Sequence, residues 1–195
     1  MRTQQQPPQS PHSPRAPRRV CVFAGSRPGA RADYTTAARE LGATLAVRGI
    51  GLVYGGASVG LMGTLADAAL DGGGEVIGVI PHALARREIT HRTLAELHMV
   101  DTMHQRKALM YNLADAFVVG PGGLGTLEEA FETLTGIQLG YHRKPIVFLD
   151  VDGFWSPMEQ FLDHAVDAAV LRPEYRTLFR TSSTARGALD LLAAW

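Results

Sequence analysis

From residue 19 to the end of the chain, short apolar runs alternate with stretches whose apolar residues recur every three or four positions. The short runs predict strands at 20–24, 50–54, 75–80, 97–100, 116–119, 145–149 and 178–180, the fourth the least apolar. The longer period predicts helices at 34–48, with Ala38, Leu41, Leu45 and Ala46 as the apolar stripe, and at 61–70, 103–113 and 157–170. A further helix opens at Thr126 and carries Leu127, Phe131 and Leu134, and a last one reaches the C-terminus. Residues 82–95 read as a polar, partly helical connection rich in Arg and His. Strands alternating with helices of this length imply a parallel sheet covered on both faces, an α/β doubly wound, Rossmann-like fold. Such sheets bind ligands at the carboxyl ends of their strands. Three glycine-bearing loops, 25–29, 55–60 and 120–125, each follow a predicted strand and so open on that edge. One shared site is predicted there.

Composition narrows the picture. At 195 residues, the chain can bury one substantial core. Residues 1–18, mostly Gln, Pro, Ser and Arg, have almost nothing to bury and read as a disordered extension before a single domain over 19–195. Zero formal net charge argues against a nucleic-acid-binding body. Cys21, the only cysteine, excludes an intrachain disulfide and reads as a small core residue. No run is long enough for a membrane span or has the form of a signal segment, so a cytoplasmic protein is expected. Seventeen arginines stand beside only two lysines, Lys107 and Lys144, which hints that each lysine marks a place needing a compact ammonium.

The candidate chemistry centres on residues 115–129. A buried strand runs into the glycine-dense turn Gly120–Gly125 and then into a helix N-terminus. Glycines permit close backbone approach, and first-turn N–H groups lack intrahelical partners, so the stretch reads as a phosphate cradle. The turn also matches G-x-G-x-x-G, with Asp150 as a possible ribose ligand. That acid lies farther on than the roughly 20 residues of a dinucleotide fingerprint, and the turn is not in the first βα unit. A mononucleotide or other phosphate ester fits better. Glu129 has two readings here: the third residue of a capping box opened by Thr126, or a carboxylate kept beside an anion site for chemistry. Met103, His104, Arg106 and Lys107 lie on the helix preceding the cradle strand, where His104 and Lys107 share a face and Arg106 points elsewhere. The histidines show no metal-ligand spacing, and no Ser-His-Asp pattern appears.

Pro121-Gly-Gly-Leu-Gly-Thr-Leu-Glu-Glu129 resembles the P-G-G-x-G-T-x-x-E motif of the Lonely guy family, the cytokinin-activating phosphoribohydrolases. Met103-His-Gln-Arg-Lys107 resembles that family's second motif, and Tyr54-Gly-Gly, Gly60-Leu-Met-Gly63 and Gln138-Leu-Gly140 extend the likeness from about residue 20 to the C-terminus. The resemblance implies cleavage of the N-glycosidic bond of AMP or an N6-modified AMP to free base and ribose 5-phosphate, without metal or PLP. It implies Glu129 as the carboxylate that activates water or stabilises the oxocarbenium ion, and Arg106 as the group assisting the leaving purine. Gly25, Ser26, Gly122, Gly123, Gly125 and Thr126 would hold the 5′-phosphate, Lys107 would add charge there, and Met103 would contact substrate. A homodimer is implied, with the Met103 helix near its interface. Arg27, Ala57 and Gly136 depart from the family pattern, the first two on the phosphate side and the third at the base pocket. Two other classes compete. A non-catalytic nucleotide or molybdenum-cofactor carrier of related fold would not need Arg106 and Glu129 together. A lysine decarboxylase needs a Schiff-base lysine for PLP, with only Lys107 and Lys144 to supply it.

Overall fold

Alternate residues of the first strand, β1 (Arg19–Phe23), enter different cores. Val20 and Val22 pack on one face of the sheet, and Cys21 and Phe23 on the other. This period-two division of apolar side chains is what a strand buried on both faces requires. The structure is a computed structural model that describes residues 16–85, 90–91 and 94–195. The extension expected at 1–18 lies almost wholly outside the described residues, as does part of the 82–95 connection.

Along the chain, β1 is followed by α1 (Ala32–Val47), β2 (Gly51–Tyr54), α2 (Gly60–Asp71), β3 (Val76–Pro81), the single turn α3 (His82–Ala85) and β4 (Glu96–Val100). Then come α4 (Met103–Leu113), β5 (Ala116–Val119), α5 (Leu124–Gln138), β6 (Ile146–Leu149) and α6 (Ser156–Asp167). A 3₁₀ turn at Pro173–Thr177, β7 (Arg180–Ser182) and α7 (Ala185–Ala193) complete the chain. The seven strands pair in parallel in the order β4-β3-β2-β1-β5-β6-β7. Helices α1, α2 and α7 cover one face through Leu41, Leu45, Leu65 and Leu189, and α4, α5 and α6 the other through Met110, Ala130, Leu134 and Leu162. The doubly wound α/β fold expected from the sequence is the fold observed.

The chain winds outward from β1 to β4, then returns across the sheet to place β5 on the other side of β1, with Phe23 beside Val119. This reversal is the topological switch point, and it leaves a crevice beyond the carboxyl ends of β1 and β5. Polar anchors hold the return path. The Lys144 ammonium donates to the carbonyls of Tyr111 and Ala114, closing the C-terminal end of α4. One of the two lysines is thus a helix-end partner.

Most boundaries lie within two residues of expectation, and three of the differences have a clear physical reason. Helix α5 starts at Leu124, two residues before Thr126, because Gly123 serves as its N-cap and glycine carries little helix signal. The last strand is shifted to Arg180–Ser182, since Leu178 and Phe179 are used as core, Phe179 packing on Phe148 with ring centroids 4.9 Å apart. Helix α6 stops at Asp167, where the left-handed Ala169 (φ 58°) turns the chain away.

Candidate active site

The crevice at the switch point is a cleft of about 710 Å³, within the usual range for small-molecule sites of roughly 300–1,000 Å³. Its floor is the junction of two loops. Gly25 N–H donates to the Pro121 carbonyl (2.9 Å), while the Gly25 carbonyl accepts from Leu61 and Met62 at the start of α2 (3.0 and 3.3 Å). The loop after β1 therefore docks on both the cradle loop and the α2 N-terminus.

The cradle itself is a helix N-terminus stripped of side-chain caps. Gly123 is the N-cap and makes no side-chain capping bond. The first N–H turned back into the helix is that of Leu127, onto the Gly123 carbonyl at 3.0 Å. The N–H groups of Leu124, Gly125 and Thr126 precede it and have no partner four residues back, so with the helix dipole they favour an anion. The glycines divide into two kinds. A Cβ on Gly122 would lie 2.1 Å from Thr126 Oγ1, so that glycine is required by the protein's own packing. A Cβ on Gly123 or Gly125 would meet no atom within 4 Å. Neither is needed for packing; both keep the space above the helix end clear.

Two buried charged side chains complete the cleft. Arg106 is 6 % exposed and Glu129 9 %, and both line it. Helix α4 begins with a capping box: Thr102 Oγ1 accepts from Gln105 N–H (3.1 Å), and Gln105 Oε1 accepts from Thr102 N–H (3.3 Å). One residue on, Arg106 enters the sheet edge. Its Nε donates to the Val79 carbonyl (3.1 Å) and its Nη2 to the Gly55 carbonyl (3.0 Å). A carbonyl within β3 and one just beyond β2 thus fix the guanidinium at one wall. The approach needs the glycine, because a Cβ on Gly55 would sit 2.0 Å from Nη2. Glu129 lies within α5. Burial pushes its carboxyl up to about 7, and Glu128 and Glu132 act in the same direction, against Arg106 and Lys107.

The capping reading of Glu129 is overturned. Thr126 and Glu129 both sit inside α5 rather than at its cap, and the capping box of this region belongs to Thr102 and Gln105 on α4. The T-x-x-Q spacing was visible in the sequence. Gly25, Ser26, Met103, Arg106, Gly122, Gly123, Gly125, Thr126 and Glu129 come together at the one cleft. Lys107 does not join them. Its ammonium turns to Glu128 and Glu132 of α5, because consecutive residues of a helix point about 100° apart and Arg106 occupies the cleft side. His104, expected on the same face as Lys107, is exposed while Lys107 is buried. Asp150 accepts from Trp155 N–H (2.7 Å) and shapes the turn after β6. Gly136 does not line this cleft: it lies toward the far end of α5, where a Cβ would be 2.9 Å from His142 Nε2. Of the three departures from the family pattern, only Arg27 lines the cleft. Tyr34 and Phe154, an edge-to-face pair with centroids 5.4 Å apart, also line it. Periodicity assigned Tyr34 only to a helix, and nothing local marked Phe154. Among the described residues, no helix is long and apolar enough to cross a membrane, and no group of three or more His, Cys, Asp or Glu is placed to hold a metal.

An open helix N-terminus, a buried carboxylate and a fixed guanidinium lining one cleft at a doubly wound switch point form an arrangement suited to a phosphate ester. Comparison with known proteins gives the family. A family model described as possible lysine decarboxylase matches residues 62–192. The chain is 50% identical over 169 residues to cytokinin riboside 5'-monophosphate phosphoribohydrolase LOG of Oryza sativa subsp. japonica, covering 87% of this chain and 70% of that protein. It is 47% identical over 169 residues to a cytokinin riboside 5'-monophosphate phosphoribohydrolase of Arabidopsis thaliana, covering 87% and 79%. The chain belongs to this Lonely guy family. Among solved structures, the molybdenum cofactor carrier protein of Chlamydomonas reinhardtii superposes with a TM-score of 0.69 at 22% identity, over 90% of this chain and 96% of that one. At that identity the likeness concerns the fold.

Proposed function

We propose that the protein hydrolyses the N-glycosidic bond of adenosine 5′-monophosphate or an N6-modified derivative, releasing free base and ribose 5-phosphate. The observation that carries this reading is the pairing of buried Glu129 and Arg106 beside the open N-terminus of α5. The 5′-phosphate rests on the N–H groups of residues 124–126, with Gly25, Ser26, Gly122, Gly123 and Thr126 forming the surrounding wall. Binding that remote group positions the glycosidic bond over the carboxylate. As the C1′–N bond breaks, Glu129 in its ionised form stabilises the oxocarbenium ion and takes a proton from the attacking water. Arg106 donates to the departing purine and offsets the charge developing on it. Water supplies hydroxide to C1′, and its other proton, taken up by Glu129, returns through solvent to the departing base, so that water alone is consumed and Glu129 is again ionised. The kinship with phosphoribohydrolases at about half identity supports the same reading.

A cytoplasmic homodimer is part of the proposal. Met103 and Leu124, 40% and 87% exposed, give the cleft mouth an apolar rim suited to a second copy. The test is to incubate the protein with AMP and with isopentenyladenosine monophosphate and separate the products by chromatography. Free base with equimolar ribose 5-phosphate is expected. No base from any purine or pyrimidine monophosphate would overturn hydrolysis and favour a carrier.

A further inference from the structure

Lys107 is one of two lysines in the chain and stands outside the cleft it was expected to serve. Its side chain is 8 % exposed, and its ammonium contacts Glu128 and lies 3.0 Å from Glu132. A buried ammonium needs such partners, and its burial is costly without them. The arrangement has a register. Lys107 follows Arg106 on α4, and Glu128 precedes Glu129 on α5, so the clasp lies directly behind the two cleft residues. One turn along, Tyr111 Oη and Thr133 Oγ1 are 2.6 Å apart, and Thr133 Oγ1 donates to the Glu129 carbonyl (2.8 Å). The two helices are thus joined at two successive turns by side chains bracketing Glu129.

Charge gives the arrangement a further consequence. Glu128, Glu129 and Glu132 crowd three carboxylates into little more than one turn of α5. The titratable and charged groups facing Glu129 are Arg106, Lys107 and Tyr111 from α4, Glu128 and Glu132 on its own helix, and Cys21 from β1. Of these, Arg106 and Lys107 are the cations that favour its ionised form.

The geometry points to Lys107 as a positioning residue for the proposed reaction. Through Glu128 and Glu132 it fixes α5 against α4, holds Glu129 toward the cleft wall that carries Arg106, and offsets the carboxylates that oppose Glu129 ionisation. This role rests on the hydrolase reading above and assigns Lys107 no contact with substrate.

The experiment compares Lys107→Met, Lys107→Arg and Glu128→Gln with wild type in two measurements. The first is kcat and KM for base release from AMP across pH. The second is the carboxyl titration of Glu129 by ¹³C NMR without nucleotide, its signal assigned by loss in Glu129→Gln. Lys107→Met is expected to lower kcat about tenfold at pH 7, move the acidic limb up by roughly one pH unit, and change KM less than about threefold. Lys107→Arg restores most of the rate. Glu128→Gln, at a half-exposed position and with Glu132 left to partner Lys107, moves the limb to lower pH. A large rise in KM with an unmoved limb would make Lys107 a phosphate ligand and overturn the proposal. So would an unmoved limb in Glu128→Gln, or a Glu129 titration that is the same in Lys107→Met and wild type. If wild type releases no base, the hydrolase reading falls, and the NMR titration still decides whether Lys107 governs Glu129.

Discussion

At the scale of single residues, Glu129 makes the sharpest prediction because its environment opposes its charge. The carboxyl is raised from 4.5 to about 7, with burial the first cause. Between those values the folded protein holds a proton that the unfolded chain releases, so the stability contributed by this site is lost as pH rises toward and through 7. Above pH 7 the buried charge costs roughly 3 kcal/mol. Glu129→Gln removes the charge but keeps the shape. It is expected to raise the unfolding free energy at pH 8 by roughly that amount, with the gain disappearing near pH 4.5. Denaturant titrations at the two pH values measure this. Base release should fall at least about a hundredfold in the same variant. A variant both more stable and inactive marks a residue held for chemistry rather than for the fold; equal stability at pH 8 would mean the carboxylate is not desolvated.

At the scale of elements, α4 places Arg106, and β3 and the loop after β2 receive it, so the contact can be broken from the strand side. Gly55→Ala puts a methyl where Nη2 now lies, 2.0 Å away, and displaces the guanidinium from the Gly55 and Val79 carbonyls. We expect kcat to fall about 10- to 100-fold, with near-normal far-UV dichroism; full activity would show that the anchor does not position Arg106. On the other side, Thr102→Ala removes the capping box and costs about 1 kcal/mol, read as a lower denaturation midpoint. These elements differ in how legible they were. The strands and most helices could be read from the sequence because Val20, Cys21, Val22 and Phe23, or Leu41 and Leu45, are sorted by burial alone. The cradle was legible as well, since glycine density after an apolar run has few structural uses. The start of α5 was not: helix propensity says nothing useful about Gly123 and Gly125, and a Thr–Glu spacing imitated a cap. The direction of Lys107 was misread because two adjacent cations look alike in a sequence, and only the packing of α4 on α5 separates them. The aromatic wall of Tyr34 and Phe154 joins positions 120 residues apart in the chain, a closeness created by the switch of strand order.

At the scale of the whole molecule, the cleft joins every layer of the fold, so filling it should be felt as global stability. A ligand that binds only the folded state stabilises it by about 2.7 kcal/mol at 100 times its dissociation constant. Ribose 5-phosphate, a product that cannot be turned over, is the suitable probe and should raise Tm by several degrees at saturation. Gly125→Ala then separates the fold's interest from the site's. The added methyl meets no atom within 4 Å and lies inside α5, where alanine is favoured over glycine by roughly 0.5–1 kcal/mol. The unliganded variant is therefore expected to melt slightly higher than wild type. Gly125 lines the cleft, so a methyl there is expected to narrow the space for the phosphate and to remove most of the ribose 5-phosphate shift. Thermal unfolding of both proteins with and without the sugar phosphate decides the matter. An undiminished shift in Gly125→Ala would place the phosphate elsewhere than on the N-terminus of α5. The opposite pair of results would show that the molecule gives up helix stability at this position to keep the anion site open.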